Sequence, residues 1–563
     1  MTWTFSQLPY ARPDTGAFKA SYRGAIERLR KAAAYPEARA AYKAQEDIHR
    51  KLNTLQTIVS IRNTMDTKDA FYDAENTFFN EEMAKFMPLI KEANEALLAS
   101  PFRPEFEREF GRQLFTLLAI GVKTQDEAIV PDLIEESELC ETFKKITAGC
   151  QAVFMGETRN FYGLLKYMEN PDRNVRRAAY IQWATLYEAV SEPLDSLYDQ
   201  LIAVRLRMAK KLGLPSYTEL AYLNMRRADY TAAEVASFRA QVAKIITPAA
   251  DRYRRAQAAR IGVDTLRYYD ESYMFPNGNA DPLGGEKGLI QAARAMYRDL
   301  SPETGEFFDF MLEHGLFDLP TRPGKHLGGY CTYLLERQAP FIFSNFNGTA
   351  ADVGVLTHEA GHAFAFYMSM REQPLLDYIS ATSEVDEIHS MTMEHFAYPW
   401  LDKFYGPANV RKARFAHLME AFCTIPYLVS VDEFQHRVFE NPAMSAKERR
   451  TLWREIEKTY MPWRDYDGVP FLEEGGFWMQ KQHIFLYPFY YIDYALAQVG
   501  AFELYGRTKA DRQAAWADYL RLCKAGGSRG YFDLLRLANL SNPFAPGSVE
   551  KAVSHVIREL DGL

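Results

Sequence analysis

The sequence predicts a mainly α-helical fold with one small β-sheet. Three features predict it. From about Phe18 to Tyr230 the chain runs in helix-period segments rich in Ala, Leu, Glu, Lys and Arg. Between Tyr268 and Asn347 glycine and proline increase and the apolar runs shorten, as in Phe341-Ile342-Phe343. From Asp352 helical periodicity returns and continues to the end, broken by a Trp/Gly/Pro-rich stretch from Tyr460 to Trp478. With 563 residues, 47% of them hydrophobic, the chain exceeds the ~100–200 residues of a typical domain, so two or more lobes are expected. The boundary is placed at an N-terminal helical lobe, 1–168, followed by a region 169–563 that holds the chemistry.

The joints follow from residues that break helices. Ser100-Pro101, Arg103-Pro104, the polar turn Glu169 to Asn174 and Gly213-Leu214-Pro215-Ser216 interrupt the first lobe. Thr231 and Glu234 form a capping box that opens another helix. Pro340 and Asn347-Gly348 bound the strand-like run. Asp352 is the expected N-cap of the helix after it, and Ser383-x-x-Asp386 is the expected start of the next, which Pro399 ends.

Composition excludes several functions. Lys+Arg 66 against Asp+Glu 74 gives a net charge of −8, the wrong sign for binding nucleic-acid phosphates. The five cysteines show no CxxC pairing, which fits reduced thiols and argues against a cysteine zinc site. The start Met1-Thr2-Trp3-Thr4 lacks a basic n-region and apolar core, and no uncharged apolar run approaches ~18 residues. The expectation is a cytoplasmic protein with no membrane or nucleic-acid partner. Its oligomeric state is left open.

The chemistry is carried by His358-Glu359-Ala360-Gly361-His362. Residues four apart on a helix lie one turn from each other, so two imidazoles converge on one Zn²⁺ while Glu359 flanks the ion as a general base toward an activated water. A catalytic zinc keeps three protein ligands and one open position. The metzincin extension is absent, because Ala365 and Met368 stand where Gly and His are needed. The third ligand is therefore sought on the segment Ser383 to Glu394, where Glu384, Glu387 and Glu394 share a face and His389 and His395 compete. Spacing alone does not choose among them.

Three stretches, Lys325 to Cys331, Pro340 to Thr349 and the HExGH helix, together with Glu387, Ser390 and Glu394 in an E-x-x-S-x-x-x-E element, carry a resemblance. The sequence resembles the thimet-oligopeptidase family of zinc metallopeptidases, in its oligoendopeptidase F and Pz-peptidase branch. The resemblance implies a zincin-type HExxH helix in a two-lobed helical ellipsoid whose deep channel admits short unstructured peptides. It implies that Glu387 is the third zinc ligand and that Glu394 orients a ligand imidazole. It also maps the family's H…Y…YxxY element onto His483 and Tyr491 as oxyanion donors and Tyr494 as the residue that places the scissile carbonyl. That mapping drops one residue, so Tyr490 competes with Tyr491, and Pro488 departs from an unbroken helix.

The strand through Phe343 and Asn345 invites a further expectation: if its edge faces the channel, it would pair with substrate backbone. Phe343, Asn345, Tyr487 and Tyr490 are thus candidate peptide-contacting residues. Gly328-Gly329 and Gly475-Gly476 are candidate hinges, and Cys331 reads as an inert buried thiol. The reading is a zinc endopeptidase with one Zn²⁺ acting on oligopeptides. A zinc hydrolase of non-peptide amides and a non-catalytic helical peptide-binding protein are the alternatives.

Overall fold

The computed structural model describes residues 3–322, 324–326 and 328–563, so Leu327 of the Lys325 to Cys331 stretch lies outside the described residues. The chain opens with helices α1 (Thr15–Lys31), α2 (Tyr35–Met65), α3 (Ala70–Leu98), α4 (Arg103–Phe110) and α5 (Gln113–Thr124). Asp14 caps α1 by accepting from the Ala17 N–H at 2.9 Å, and Asp69 caps α3 by accepting from the Phe71 N–H at 2.9 Å. Tyr22, Ile26, Phe79, Phe86, Phe106 and Leu114 from these helices close a core of their own, which reaches across to Leu375 and Tyr378.

Helix α6 (Val130–Ala148) and the hairpin β1 (Ala152–Phe154) and β2 (Glu157–Arg159) also belong to the stretch 1–168. Their Phe143 and Phe154 pack into the larger core. Phe143 stacks on Phe485 with centroids 4.4 Å apart, fixing α6 against the far end of the chain. Helices α7 (Ser191–Lys211) and α8 (Tyr217–Asn224) follow, joined through the loop at Gly213 to Ser216. The capping box at Thr231 is present, with its N–H donating to Glu234 at 2.7 Å.

The region between Tyr268 and Asn347 is only partly β. Helices Gly285–Leu300 and Pro302–Glu313 fill its first half, and the Ser301 hydroxyl caps the second by accepting from the Thr304 N–H at 3.1 Å. Pro276, Gly278, Pro282 and Gly284 fall in the turn ahead of the first of these helices, and Gly315 follows the second. The sheet is confined to β3 (Phe317–Pro320), β4 (Tyr330–Leu334) and β5 (Ala339–Phe346), in the order β3-β5-β4. β5 pairs parallel with β3 and antiparallel with β4, in the register Tyr330 opposite Phe343 and Leu334 opposite Ala339. The expected free edge at Phe341 to Asn345 is therefore paired on both sides at Ile342 and Phe343, and the edge strands are β3 and β4.

Helices α9 (Ala351–Glu372) and α10 (Ser383–Phe396) carry the two halves of the motif; α11 (Val410–Glu440) meets α10 at the His417–Glu394 hydrogen bond, and α12 (Tyr491–Thr508) packs along it. No helix among the described residues is long and apolar enough to cross a membrane. The Gly475-Gly476 pair is a packed turn: a Cβ on Gly475 would lie 1.9 Å from the Arg450 carbonyl oxygen. Gly361, inside the motif, lets α9 and α10 touch. A Cβ there would meet Ser390 Cα at 2.6 Å and the His389 carbonyl oxygen at 2.7 Å, both backbone atoms that cannot swing aside. Gly361→Ala is expected to destabilise the fold by ~1–3 kcal/mol, read from chemical denaturation. An unchanged midpoint would show that the two helices can separate freely.

Candidate metal centre

Helix α9 is buried on almost every side, which places His358, Glu359 and His362 in the interior. Its N-cap is Ala350. The Asp352 carboxylate, expected as the cap, instead accepts from the Asn347 and Gly348 N–H groups at 3.1 and 2.7 Å and turns the chain from β5 into the helix. α10 begins after Thr382, and Asp386 reaches back to the Ala381 N–H at 3.2 Å.

The two helices bring together His358, His362 and Glu387, whose ligand atoms all lie within 4.8 Å of one another. The Nε2 atoms of His358 and His362 are 3.3 and 3.4 Å from Glu387 Oε2. Two ligands each ~2.0–2.1 Å from a tetrahedral ion stand about 3.3 Å apart, so the donor set fits one small divalent cation. The competing residues turn elsewhere. Glu384 lies in the field of Arg227, His389 faces Asp386 at 3.7 Å, and His395 meets Gln498 Nε2 at 3.1 Å.

Behind the cluster runs a polar relay. His358 Nδ1 donates to Glu394 Oε1 at 2.7 Å, His417 Nε2 donates to Glu394 Oε2 at 2.5 Å, and the Tyr398 hydroxyl donates to His417 Nδ1 at 2.7 Å. This fixes the His358 tautomer with Nε2 free to ligate. Burial would raise the Glu394 carboxyl, but hydrogen bonds from His358 and His417 win and hold it down to about 2. Burial likewise opposes charge on His358, yet its bonds to Glu387 and Glu394 lift it well above the usual histidine range. The cluster is thus an interior site built for positive charge. His417 has no motif around it, and sequence reasoning missed it.

Glu359 is buried, its Oε2 has no hydrogen-bond partner among the described residues, and burial raises its carboxyl against the pull of His358 and His362. Its Oε1 lies 3.6 Å from where a Cβ on Gly329 would stand, at the start of edge strand β4.

The tyrosine-rich segment closes the other side. A short helix Gln482–Leu486 gives way at Tyr487-Pro488, Phe489 takes a left-handed φ of 64°, and α12 starts at Tyr491. The Tyr490 hydroxyl donates to Glu387 Oε1 at 2.7 Å, on the carboxylate oxygen that faces away from the histidines. The His483 ring lies 4.8 Å from Tyr491, 6.0 Å from Tyr490 and 6.1 Å from Tyr494. Burial and the Lys481 charge lower His483 to about 3, so its imidazole is neutral. Burial and the Glu387 charge keep Tyr490 and Tyr494 protonated far above neutral pH. Tyr487 is 53% exposed.

Two buried arginines hold this irregular segment by its carbonyls. Arg205 on α7 donates to the Phe485 oxygen at 2.5 Å and pairs with Glu136 at 2.7 Å. Arg227 donates to the Phe489 oxygen at 2.7 Å and to Asp493 at 2.6 Å. Neither was singled out by sequence, although Arg205 interrupts the apolar run Leu201-Ile202-Ala203-Val204.

The strand residues proposed for substrate are engaged within the protein. Phe343 is fully buried and stacks on Tyr330 with centroids 4.8 Å apart, and Asn345 Nδ2 donates to the His326 and Gly328 oxygens at 2.8 and 2.7 Å. Both side chains brace the sheet because β5 is its central strand. Burial pushes the Cys331 thiol well up.

The pattern of peptidase family M3 matches residues 166–280 and 305–552, and that of the peptidase M3 N-terminal domain matches residues 5–125. The chain belongs to peptidase family M3. Among curated relatives, oligopeptidase PepF of Bacillus subtilis is 25% identical over 48% of this chain and 41% of its own length. An oligoendopeptidase F homolog of Lactococcus lactis subsp. lactis is 24% identical over 64% of this chain and 59% of its own. These matches take in less than two thirds of each relative. The solved structure of Pz peptidase A with an inhibitor superposes with a TM-score of 0.96 at 44% identity, covering 100% of this chain and 99% of that one. Oligoendopeptidase F from Enterococcus faecium shares the fold, with a TM-score of 0.64 at 18% identity over 97% of this chain and 98% of that one. The M3 chain described here thus shares its whole length with solved relatives.

If the relay sets the His358 tautomer, Glu394→Gln and His417→Ala should each weaken metal affinity by about 10–100-fold in competition with a chelator. Unaltered affinity in both would assign the relay to packing alone.

Proposed function

We propose that the protein is a zinc-dependent endopeptidase that hydrolyses internal bonds of short unstructured oligopeptides. The observation that carries this is one interior cluster: three nitrogen and oxygen donors within 4.8 Å of one another, both imidazoles at 3.3–3.4 Å from the Glu387 carboxylate, with Glu359 beside them and His483 among neighbouring tyrosines. His358, His362 and Glu387 would hold a single Zn²⁺, which when bound acidifies water and polarises a carbonyl. Three ligands leave a position open, whereas a structural site favours four ligands and cysteine.

The remaining steps belong to the chain. Glu359 accepts the proton of the attacking water on its buried carboxylate and returns it to the leaving amine, and its raised proton affinity suits both tasks. His483 and Tyr491 donate to the oxyanion and Tyr494 places the scissile carbonyl, roles that a neutral imidazole and phenol hydroxyls can fill. Tyr490, bonded to Glu387, holds that carboxylate in place. An extended peptide laid along edge strand β4 would bring its backbone past Gly329 to Glu359. The His358 and His362 side chains are only 22% and 13% exposed, which suits thin, unfolded substrates. The five free cysteines support a reducing, cytoplasmic setting.

Mass spectrometry of products from peptides of graded length is expected to show internal cuts that a chelator stops and zinc restores. Glu359→Gln should keep its metal and lose about 10²–10⁴-fold in kcat; near-normal turnover with metal bound would remove Glu359 from the chemistry. Tyr491→Phe and Tyr494→Phe should lower kcat by about 10²–10³-fold, while Tyr490→Phe should act mainly on metal affinity. The reverse pattern would exchange the roles of Tyr490 and Tyr491.

A further inference from the structure

A second interior space lies away from the metal cluster, where the core of α1–α5 meets the rest of the chain. It has a volume of about 420 Å³, within the ~300–1,000 Å³ of ligand pockets. Its walls come from α2, α3, α5, α6, α7 and α8, closed by the loops that carry Arg226 and Asp377.

The polar groups on these walls are incompletely matched. Glu46 accepts one hydrogen bond among the described residues, from the Leu376 N–H at 2.8 Å, and the Arg50 charge acts on it without forming an ion pair among those residues. Arg226 is already committed, with one nitrogen 3.1 Å from the Asp377 carboxylate and another donating to the Asp377 carbonyl at 3.2 Å. Gln45 is 3% exposed, lines the space, and its Nε2 has no partner; the buried Oε1 of Gln125 has none either. A buried carboxylate with no ion pair, an amide donor and an amide acceptor without partners among the described residues, all on one wall system, call for a ligand that brings a cation, a carbonyl and an N–H. Burial, with the Asp377 charge adding to it, pushes the Glu46 carboxyl up to about 7, a cost that a bound cation would relieve.

Two chains of contacts lead from the space toward the metal cluster. Arg226 and Asp377 act electrostatically on Tyr333, whose ring packs 4.8 Å from Phe366, one turn beyond His362 on α9. Glu136 lines the space and pairs with Arg205, which grips the Phe485 carbonyl two residues from His483.

We propose that this cavity is a substrate subsite for a primary ammonium group, held by Glu46 beside Asp377, with Gln45 and Gln125 taking up the adjoining peptide amide. The proposal rests on the peptidase reading and deepens it: the enzyme would select peptides by a positive charge placed at a fixed distance from the cut. The ammonium can be the peptide's amino terminus or a lysine side chain, and both bring the same chemistry.

The test compares kcat/KM for one cleavable peptide with a free or acetylated amino terminus, and for versions carrying lysine or norleucine at successive positions. Either acetylation or loss of one particular lysine is expected to lower kcat/KM about tenfold, the equivalent of ~1.4 kcal/mol, and the arm that responds identifies the source. In Glu46→Gln that ratio should collapse to about one. Asp377→Asn, which removes the second negative charge while Arg226 keeps its bond to the backbone carbonyl of residue 377, should also lower it toward one, and this second variant carries the test if Glu46→Gln does not fold by circular dichroism. Equal rates for all peptides with wild-type protein, or a ratio that survives in both variants, would overturn the subsite while leaving the endopeptidase intact. Failure to cut any peptide would overturn both.

Discussion

The structure depends on bringing carboxylates and imidazoles into one enclosed cluster. Glu387 is buried and Glu394 half-buried on a single helix, and each would be costly there alone. They are tolerated because α9 presents His358 and His362 at the right height, and because Gly361 brings the two backbones into contact. The helix pairing and the ligand set are thus one requirement: whatever widens the gap between α9 and α10 removes Glu387 Oε2 from both imidazoles at once.

Much of this was legible in the sequence, for local reasons. HExxH is a one-turn spacing, so His358 and His362 could be read from periodicity alone. The helical class, the turn at Gly213 to Ser216 and the capping box at Thr231 are likewise written in neighbouring residues. Glu387 needed more, because three glutamates on one helix are equivalent until a partner helix is in place. The structure brings Glu387 to the histidines and turns Glu384 toward Arg227.

What could not be read is what acts across the chain. His417 joins the site only through Glu394, and Arg205 and Arg227 act through carbonyls, which leave no side-chain signature. The misassigned edge of β5 has the same origin: an apolar strand ahead of the motif looks the same in sequence whether it is central or peripheral, and only the return of β3 beside it decides. Asp352 failed as a cap because a closer use existed, bonding the loop at Asn347-Gly348.

The chain order of these groups has a consequence for synthesis. His358 to Glu387 leave the ribosome well before His483 to Tyr494, and the latter segment takes its shape only when Arg205 and Arg227 close on its carbonyls. A chain that stopped short of His483 would carry the cluster of His358, His362 and Glu387 without the imidazole and phenols that lie beside it. The cluster therefore meets these neighbours only after synthesis has passed Tyr494.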